Sequence, residues 1–399
     1  MRVAQIKLRH STFSELEATV ESRGLLSVRS LPLFYRFPSE FGESLTISAD
    51  PFIAALLCPS MLLGEPLVVE ALASPRLLQA LPKIMTFYHS WNPKFKIIEV
   101  KTLGEFRPAH STSTAQALFF TCGIDSFYAL TKLTEIPLKR NLTHLILVHG
   151  FDIKLHDTSL FERTHLAMNE IASHYNMKLM IVKTNLRTVT DEYLNLDKCL
   201  GAGLASVALC LGNFFRKVYF ASDLGPNETA PLAVHPDLDP LWSTETTTFV
   251  HHLPGTSRAD KARLLTTNTL AQEHLRVCWE NRNGAYNCGR CSKCIRTMLA
   301  LHLAGGLSKF PFPTKLTPQL VEGIVDYYPD PSATAHGEHI VIELRKKGEI
   351  QLANSLSHAV RKTYLRRRLD ALLLALLQNR STRRIVRSIA KKSGHLHVL

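Results

Sequence analysis

Apolar runs and segments with helical spacing alternate along residues 112–305 of the chain. The apolar runs are short and bounded by turn residues, which is typical of buried strands. The predicted strands are 117–120, 143–149, 179–183 and 217–222, and the predicted helices start at Asp125 or cover 159–175 and 200–215. Strands joined by helices of this length favour right-handed βαβ crossovers. We therefore predict an α/β fold with a buried parallel sheet, whose ligand site lies at the carboxyl ends of the strands.

The regions on either side of this pattern differ from it. Before it, short apolar runs predict strands at 27–35 and 45–49, and Pro51 opens a predicted helix over 51–58. After it, a proline-rich stretch at 307–318 ends the alternation and helical spacing follows. The predicted domains are a small N-terminal accessory α+β domain over 1–108, the main α/β domain over 109–310, and a helical basic C-terminal extension over 311–399.

The composition is that of a globular protein, with 45% hydrophobic and 20% charged residues among 399. No stretch approaches the roughly 20 apolar residues of a membrane span. Residues 1–7 lack the apolar region of a secretion signal. We therefore expect a cytoplasmic protein without a transmembrane segment.

The net charge of +13 is concentrated near the C-terminus. Residues 361–392 hold eleven Lys and Arg against one acid, Asp370, so this segment carries +10 and the rest of the chain +3. Such a tail could bind nucleic acid phosphates, lie on an anionic membrane surface or dock on an acidic protein partner. It could also be a solvated helix, because runs of charge usually face water.

Four of the eight cysteines are clustered, and the other four lie singly among apolar neighbours, as buried free thiols do. The clustered residues are Cys278, Cys288, Cys291 and Cys294. Spacers of two residues allow successive sulfurs to reach one tetrahedral zinc ion, and the glycine after Cys288 permits the turn. An iron–sulfur cluster or unliganded thiols are the alternatives. Four protein ligands would leave no open position, so a zinc ion here would be structural.

A strand, a small turn and a helix meet at residues 121–126, which read T-C-G-I-D-S. Backbone N–H groups at a helix N-terminus bind phosphate well. The Ser126 hydroxyl could add to this grip, and Asp125 could hold Mg²⁺. The alternative is an ordinary turn in which Asp125 and Ser126 cap the helix.

Lys261 lies near the start of a later predicted helix, where a positive charge could stabilise a departing pyrophosphate. The alternative interpretation is that Lys261 is an exposed lysine on the surface of a helix. His149 follows a predicted strand and could contact nucleotide, although a buried, satisfied histidine is about as common. In the loop over 223–249, the residues that could recognise a purine-like ring are His235, Asp237, Asp239 and Trp242. A surface turn is the alternative for this loop.

These features, in this order, resemble the 7-cyano-7-deazaguanine synthase (QueC) branch of the PP-loop ATP pyrophosphatase superfamily. That branch has an S-G-G-x-D-S loop, then a substrate loop with an x-P-D element, a lysine-bearing helix and a C-x(7 to 9)-C-G-x-C-x2-C zinc motif. The corresponding positions are 121–126, 235–237, Lys261 and the four clustered cysteines. The resemblance covers roughly residues 112–305, about half of the chain.

The resemblance implies a Rossmann-like core of the adenine nucleotide alpha hydrolase type that uses ATP, Mg²⁺ and Zn²⁺. Family members adenylate the carboxylate of 7-carboxy-7-deazaguanine, and later its amide, in queuosine biosynthesis, releasing AMP and pyrophosphate. The implied catalytic residues are Asp125, Ser126 and Lys261. The implied ATP-binding residues are Thr121, Cys122, Gly123, Ile124, Asp125, Ser126 and His149. A small deazapurine-like molecule is the expected substrate.

Three departures separate this chain from ordinary synthases. Cys122 stands where the branch has glycine, the substrate loop carries extra acids and Trp242, and both termini are extended. The extensions favour a larger or different acceptor, and some extended QueC-like proteins of bacterial defence systems are thought to act on a protein partner. Two other hypotheses stay open: a PP-loop enzyme that modifies tRNA, and a non-catalytic nucleotide-binding scaffold.

Overall fold

The computed structural model describes residues 1–23, 28–106, 112–135, 142–194, 198–225, 234–324 and 332–378. The chain divides into two compact units. The first is Met1–Tyr286 with Lys309–Pro311, and the second is Asn287–Ser308 with Phe312–Leu399.

In its described residues, the first unit contains a ten-stranded sheet and eight α-helices. Its strands are β1 (Arg2–His10), β2 (Phe13–Arg23), β3 (Val28–Pro38), β4 (Leu67–Val69), β5 (Val100–Lys101), β6 (Gln116–Phe119), β7 (His144–His149), β8 (Lys178–Thr184), β9 (Lys217–Ala221) and β10 (Thr248–His252). Its helices are α1 (Asp50–Leu63), α2 (Pro75–Trp91), α3 (Ile124–Thr134), α4 (Thr158–His174), α5 (Leu186–Thr190), α6 (Leu200–Leu209), α7 (Arg258–Leu265) and α8 (Thr269–His274). Short 3₁₀ helices include Ser39–Ser44, Asp239–Trp242 and Arg282–Gly284.

The described strands form one sheet in the order β10-β9-β6-β7-β8-β3-β2-β1-β4-β5. The first five strands in this order are parallel to one another. All six residues of β7 are buried, as expected for a central strand covered on both faces. Parallel pairing brings the carboxyl ends of β6, β7 and β9 to the same edge of the sheet.

The predicted α/β class is therefore confirmed, and the four predicted strands of the main pattern lie within one or two residues of β6, β7, β8 and β9. Some predicted bounds differ. Residues 45–49 do not form the predicted strand, because the chain there leads from a 3₁₀ helix into α1. Helix α6 ends at Leu209 rather than at 215. Strands β1, β2 and β10 were not predicted, since charged and polar residues interrupt their apolar positions.

The N-terminal strands belong to the same sheet as the parallel strands. Strand β3 pairs antiparallel with β8, with Tyr35 opposite Thr184 and Arg36 opposite Lys183. One hydrophobic core, extending from Met1 to Phe249, includes side chains of both regions. The described residues up to 106 thus share one sheet and one core with the parallel strands, whereas the sequence predicted a domain boundary near 108. This pairing gives hydrogen-bond partners to backbone groups of β8 that would be unpaired if β8 were an edge strand.

The second unit is helical in the residues that the structure describes. Its helices are α9 (Ser292–Leu303), α10 (Pro318–Glu322), α11 (Ser332–Lys346) and α12 (Ile350–Gln378). Leu299, Val321, Leu344 and Leu356 are among the buried side chains of its core. Residues 379–392, which hold six of the eleven Lys and Arg of the predicted basic tail, lie outside the described residues. No helix in the described ranges has the length and apolar character needed to cross a membrane.

A buried carboxyl group begins helix α1. Asp50 is 4% exposed and accepts a hydrogen bond of 2.8 Å from the backbone N–H of Ser74. Burial raises the pKa of Asp50 to about 7, the Ser74 hydrogen bond opposes this shift, and the charge of Glu245 adds to it. The folded protein therefore holds this proton more tightly than the unfolded chain does.

We expect Asp50→Asn to stabilise the protein above pH 7 by roughly 1 kcal/mol or more. The asparagine keeps the acceptor for Ser74 and removes the buried charge. In the parent, the contribution of this group to stability should fall as pH rises from about 4 to about 7. Denaturant unfolding at pH 5 and pH 8 measures this, with the exposed Glu99→Gln as control. Equal pH dependence in the parent and Asp50→Asn would contradict the assignment.

Candidate functional site

The turn between β6 and α3 forms the first part of the site. Gly123 is the N-cap of α3 in an extended conformation, and no side chain caps the helix. The Ser126 hydroxyl donates to the Gly123 carbonyl at 3.1 Å and accepts from the Thr121 N–H at 3.4 Å. Ser126 therefore fixes the shape of the turn. The backbone N–H groups in the first turn of α3, including that of Ile124, have no partner within the helix.

Cys122 occupies the left-handed region of backbone space, with φ of +59°. That conformation suits glycine and strains other residues. The Cys122 side chain is fully buried, so it points into the protein and not toward the open side of the turn. Burial raises the pKa of its thiol to about 12, while Arg276 and Tyr286 beside it oppose this shift.

Lys261 joins the turn to the neighbouring strand. Its ammonium group donates to Asp125 Oδ1 at 2.8 Å and to the carbonyl oxygen of Ser222, which follows β9. Lys261 is only 1% exposed, so it is not a surface helix lysine. Arg258 approaches the other carboxylate oxygen of Asp125 at 3.5 Å. The structure thus brings together Asp125 and Lys261, which lie 136 positions apart in the sequence.

Asp223 is a further member of this group that the sequence did not predict. It lies two residues after the end of β9, and it is exposed to solvent. Surrounding protein atoms raise the pKa of the Asp223 carboxyl, the charge of Asp125 raises it further, and Lys261 opposes the shift. Asp223 is therefore an accessible carboxylate whose charge is affected by Asp125 and Lys261. Its position at the end of a parallel strand was the available sequence signal.

His149 lies at the end of β7 and is buried. Its Nε2 is 3.0 Å from the carbonyl oxygen of Lys154, and its ring stacks on Phe161 at a centroid distance of 3.9 Å. Burial lowers its pKa, so the ring is neutral near pH 7. These contacts hold the chain after β7 in place, and the predicted contact with nucleotide stays a prediction.

The predicted substrate residues are divided between the interior and the surface. Trp242 is fully buried in the hydrophobic core, and Asp239 is fully buried too. Asp239 Oδ2 accepts from the His235 N–H at 3.2 Å and lies 2.7 Å from His251 Nδ1. Asp237 has a side chain that is 70% exposed. Asp239 and Trp242 therefore organise the loop from inside, and Asp237 is the member that faces solvent.

The four clustered cysteines are all buried, and their sulfur atoms lie within 4.8 Å of one another. The sulfurs of Cys288 and Cys294 are 3.9 Å apart. Four ligands at 2.3 Å from a tetrahedral zinc ion would be separated by about 3.8 Å. The group is therefore compatible with zinc.

Backbone N–H groups surround these sulfurs. The N–H groups of Arg290 and Cys291 donate to Cys288 Sγ at 3.4 and 3.2 Å, and that of Cys294 donates to Cys291 Sγ at 3.4 Å. Such bonds are stronger when the sulfur is a thiolate, since charged acceptors form the stronger hydrogen bonds. The local backbone is thus suited to ligands that bind a metal as thiolates.

Comparison with known proteins gave no match: no family model, no curated protein and no solved structure matches this chain. The geometry and chemistry described above therefore carry the functional conclusion.

Cys122 provides a test of the turn. We expect its thiol to resist alkylation at pH 8 in the native protein, because it is buried and its raised pKa keeps it protonated. Native and denatured protein are labelled with N-ethylmaleimide for set times, and mass spectrometry measures the fraction of Cys122 that is alkylated. Labelling of Cys122 at the same rate in both states would contradict its inward orientation.

Gly289 provides a test of the cysteine group. It has φ of +67°, and a Cβ built there would lie 2.1 Å from Thr314 Oγ1. We expect Gly289→Ala to lower metal affinity by at least about tenfold, because the turn that aligns the thiolates cannot close. Metal analysis and chelator competition measure this change.

Gly305→Ala is the matched control, since Gly305 has a similar φ of +75° and open space around its Cβ position. It should lose about 1 kcal/mol of stability through backbone strain and keep its metal. Unchanged metal affinity in Gly289→Ala would show that this turn does not shape the site. Bound iron in place of zinc would identify an iron–sulfur protein.

Proposed function

We propose that this protein is an ATP-dependent adenylating enzyme of QueC-like type, a ligase that activates a carboxylate or amide and releases AMP and pyrophosphate. The observation that carries the proposal is the buried Lys261 ammonium, held by Asp125 and the Ser222 carbonyl beside the N-terminus of α3. A helix N-terminus and a fixed cation at one edge of a parallel sheet form an anion site.

The chemistry requires such a site. A carboxylate is a poor electrophile because its negative charge repels nucleophiles. Attack of its oxygen on the α-phosphorus of ATP forms a P–O bond and breaks the bond to the bridging oxygen, so pyrophosphate leaves with the electron pair. Negative charge grows on the leaving group, and fixed donors stabilise that charge. The first N–H groups of α3 are donors for that charge, and the buried Lys261 ammonium adds a fixed positive charge beside them.

Asp125 and Asp223 are the carboxylates that would hold Mg²⁺, because oxygen ligands suit this ion. Both follow strands of the parallel sheet, and the charge of Asp125 raises the pKa of Asp223. A bound Mg²⁺ would neutralise phosphate charge. The cysteine group would serve a different purpose, since four thiolate ligands leave zinc no open position for substrate.

A deazapurine-like acid is the substrate that the resemblance implies, and ammonia or an amine on a partner would then attack the acyl-adenylate. The exposed Asp237 is available for recognition of this substrate. The buried Asp239 and Trp242 are left out of the proposed contacts, because protein atoms already surround them.

A second candidate shares the adenylation step and differs in the acceptor, which would be tRNA or a partner protein. The exposed basic side chains of α12, at Arg361, Lys362 and Arg368, favour it because they would complement an acidic molecule. Copurifying RNA that dissociates steeply with salt would identify the tRNA case. A salt-dependent complex that nuclease does not disrupt would identify a protein.

The test is product analysis with ATP and 7-carboxy-7-deazaguanine. We expect AMP and pyrophosphate, and we expect Lys261→Met to reduce the rate at least about 100-fold by removing the fixed cation. Arg263→Ala is the control, since Arg263 lies on the same helix and pairs with Asp260 at the surface. Circular dichroism confirms that both variants fold.

Two results would overturn the proposal. Release of ADP would exclude adenylation. ATP binding with no turnover, for every acid tried and in the presence of copurified RNA or protein, would instead identify a nucleotide-binding scaffold.

A further inference from the structure

Arg276 is a buried arginine behind the turn of residues 121–126. It is 3% exposed, and its backbone N–H donates to the carbonyl oxygen of Cys122 at 2.9 Å. Its guanidinium group donates from Nη2 to Asn281 Oδ1 at 2.7 Å, while Nε has no hydrogen-bond partner among the described residues. A buried guanidinium with so few acceptors is sensitive to the loss of any one of them.

Asn281 connects three parts of the first unit. Its side-chain Nδ2 donates to the Asp152 carbonyl at 2.8 Å, in the segment that follows β7. Its Oδ1 accepts from Arg276, and its backbone N–H donates to Cys278 Sγ at 3.3 Å. Asn281 adopts φ of +47°, a left-handed conformation that asparagine tolerates better than most residues. One residue thus contacts a predicted metal ligand and, through Arg276, the carbonyl of Cys122.

The Cys122 backbone needs support of this kind. A non-glycine residue in the left-handed region is strained, and this conformation persists only where the surrounding structure holds it. The hydrogen bond from Arg276 to the Cys122 carbonyl is one such restraint. A metal ion would convert Cys278 to a fixed thiolate, and the Asn281 N–H would bind that sulfur more strongly than a thiol.

We propose that Asn281 is a positioning residue that couples metal occupancy of the cysteine group to the shape of the turn at 121–126, and hence to nucleotide affinity. The path runs from Cys278 Sγ to the Asn281 backbone, from the Asn281 amide to Arg276, and from the Arg276 N–H to the Cys122 carbonyl. This inference rests on the proposed function, because it names ATP as the ligand of the turn.

Asn281→Gly is the variant that removes the side-chain contacts of this path with the least change to the backbone. Glycine keeps the left-handed backbone and the N–H that binds Cys278 Sγ, and it removes the amide that holds Arg276 and Asp152. Asn283→Gly is the matched control, since Asn283 has φ of +55° two positions later in the same segment. Asn283 is exposed, and its side chain makes no hydrogen bond in the described structure.

The experiment measures ATP affinity by calorimetry for metal-loaded and chelator-treated protein. We expect metal removal to weaken ATP binding roughly tenfold in the parent and in Asn283→Gly. Metal-loaded Asn281→Gly should bind ATP as weakly as the metal-free parent, keep about the parental metal content, and lose most of its sensitivity to metal removal. By reciprocity, a non-hydrolysable ATP analogue should strengthen metal retention by the same factor in the parent and not in Asn281→Gly.

The outcomes separate this inference from the proposed function. Metal-loaded parent that does not bind ATP would overturn the proposed function. Parent that binds ATP equally with and without metal, or Asn281→Gly that stays as metal-sensitive as Asn283→Gly, would overturn the inference alone. Should the metal-free parent unfold, the comparison of metal-loaded Asn281→Gly with Asn283→Gly decides, since equal ATP affinity in both would exclude the path through the amide.

Discussion

The pairing of the Lys261 ammonium with the Asp125 carboxylate is the contact on which the site depends. Taking an ammonium group out of water costs several kcal/mol, so a lysine that is 1% exposed must be paired. Asp125 and the Ser222 carbonyl supply the partners. Because Asp125 lies in the first turn of α3, Lys261 lies in α7 and Ser222 follows β9, this pairing fixes three elements relative to one another. The packing of α3 against α7 follows the same constraint.

The sheet reflects a second constraint, which is the need to pair strand edges. Five parallel strands would end at β8, whose backbone groups would remain open at that edge. Strand β3 covers part of this edge, and β2, β1, β4 and β5 extend the sheet from there. The N-terminal region therefore completes the fold that carries the site. Charged and apolar residues alternate along its strands, and strands with this pattern are stable only when they pair with another strand.

The sequence predicted what local patterns encode. Buried parallel strands are short and uniformly apolar, so β6 to β9 could be recognised without knowledge of their neighbours. The cysteine spacing likewise lies within one segment and predicted the group that the structure assembles. Trp242 shows the opposite case: a tryptophan in a polar loop suggested a ligand surface, yet the side chain fills the core. Burial of an isolated aromatic residue depends on which elements surround it.

The residues that escaped prediction act through contacts distant in sequence. Arg276 contacts Cys122, and Asn281 contacts Asp152. The two residues of each pair are more than 100 positions apart in the sequence. Asp223 was not predicted because its pKa is raised by Asp125, which lies in α3 after the neighbouring strand β6. No spacing rule encodes such pairs, because residues far apart in the sequence come together only in the folded chain.

The charges around Asp125 limit how the proposed site can work. Among the described groups there, Lys261 and Arg258 are cationic while Asp125 and Asp223 are carboxylates, so the formal charges cancel. A polyphosphate gains little from a neutral cluster beyond the roughly +0.5 charge at the start of α3. Attraction therefore requires added positive charge, either a divalent cation on the carboxylates or a proton on Asp223, whose pKa is already raised. In the proposed function, a Mg²⁺ ion bound by Asp125 and Asp223 would be one source of this charge, and protonation of Asp223 would be the other.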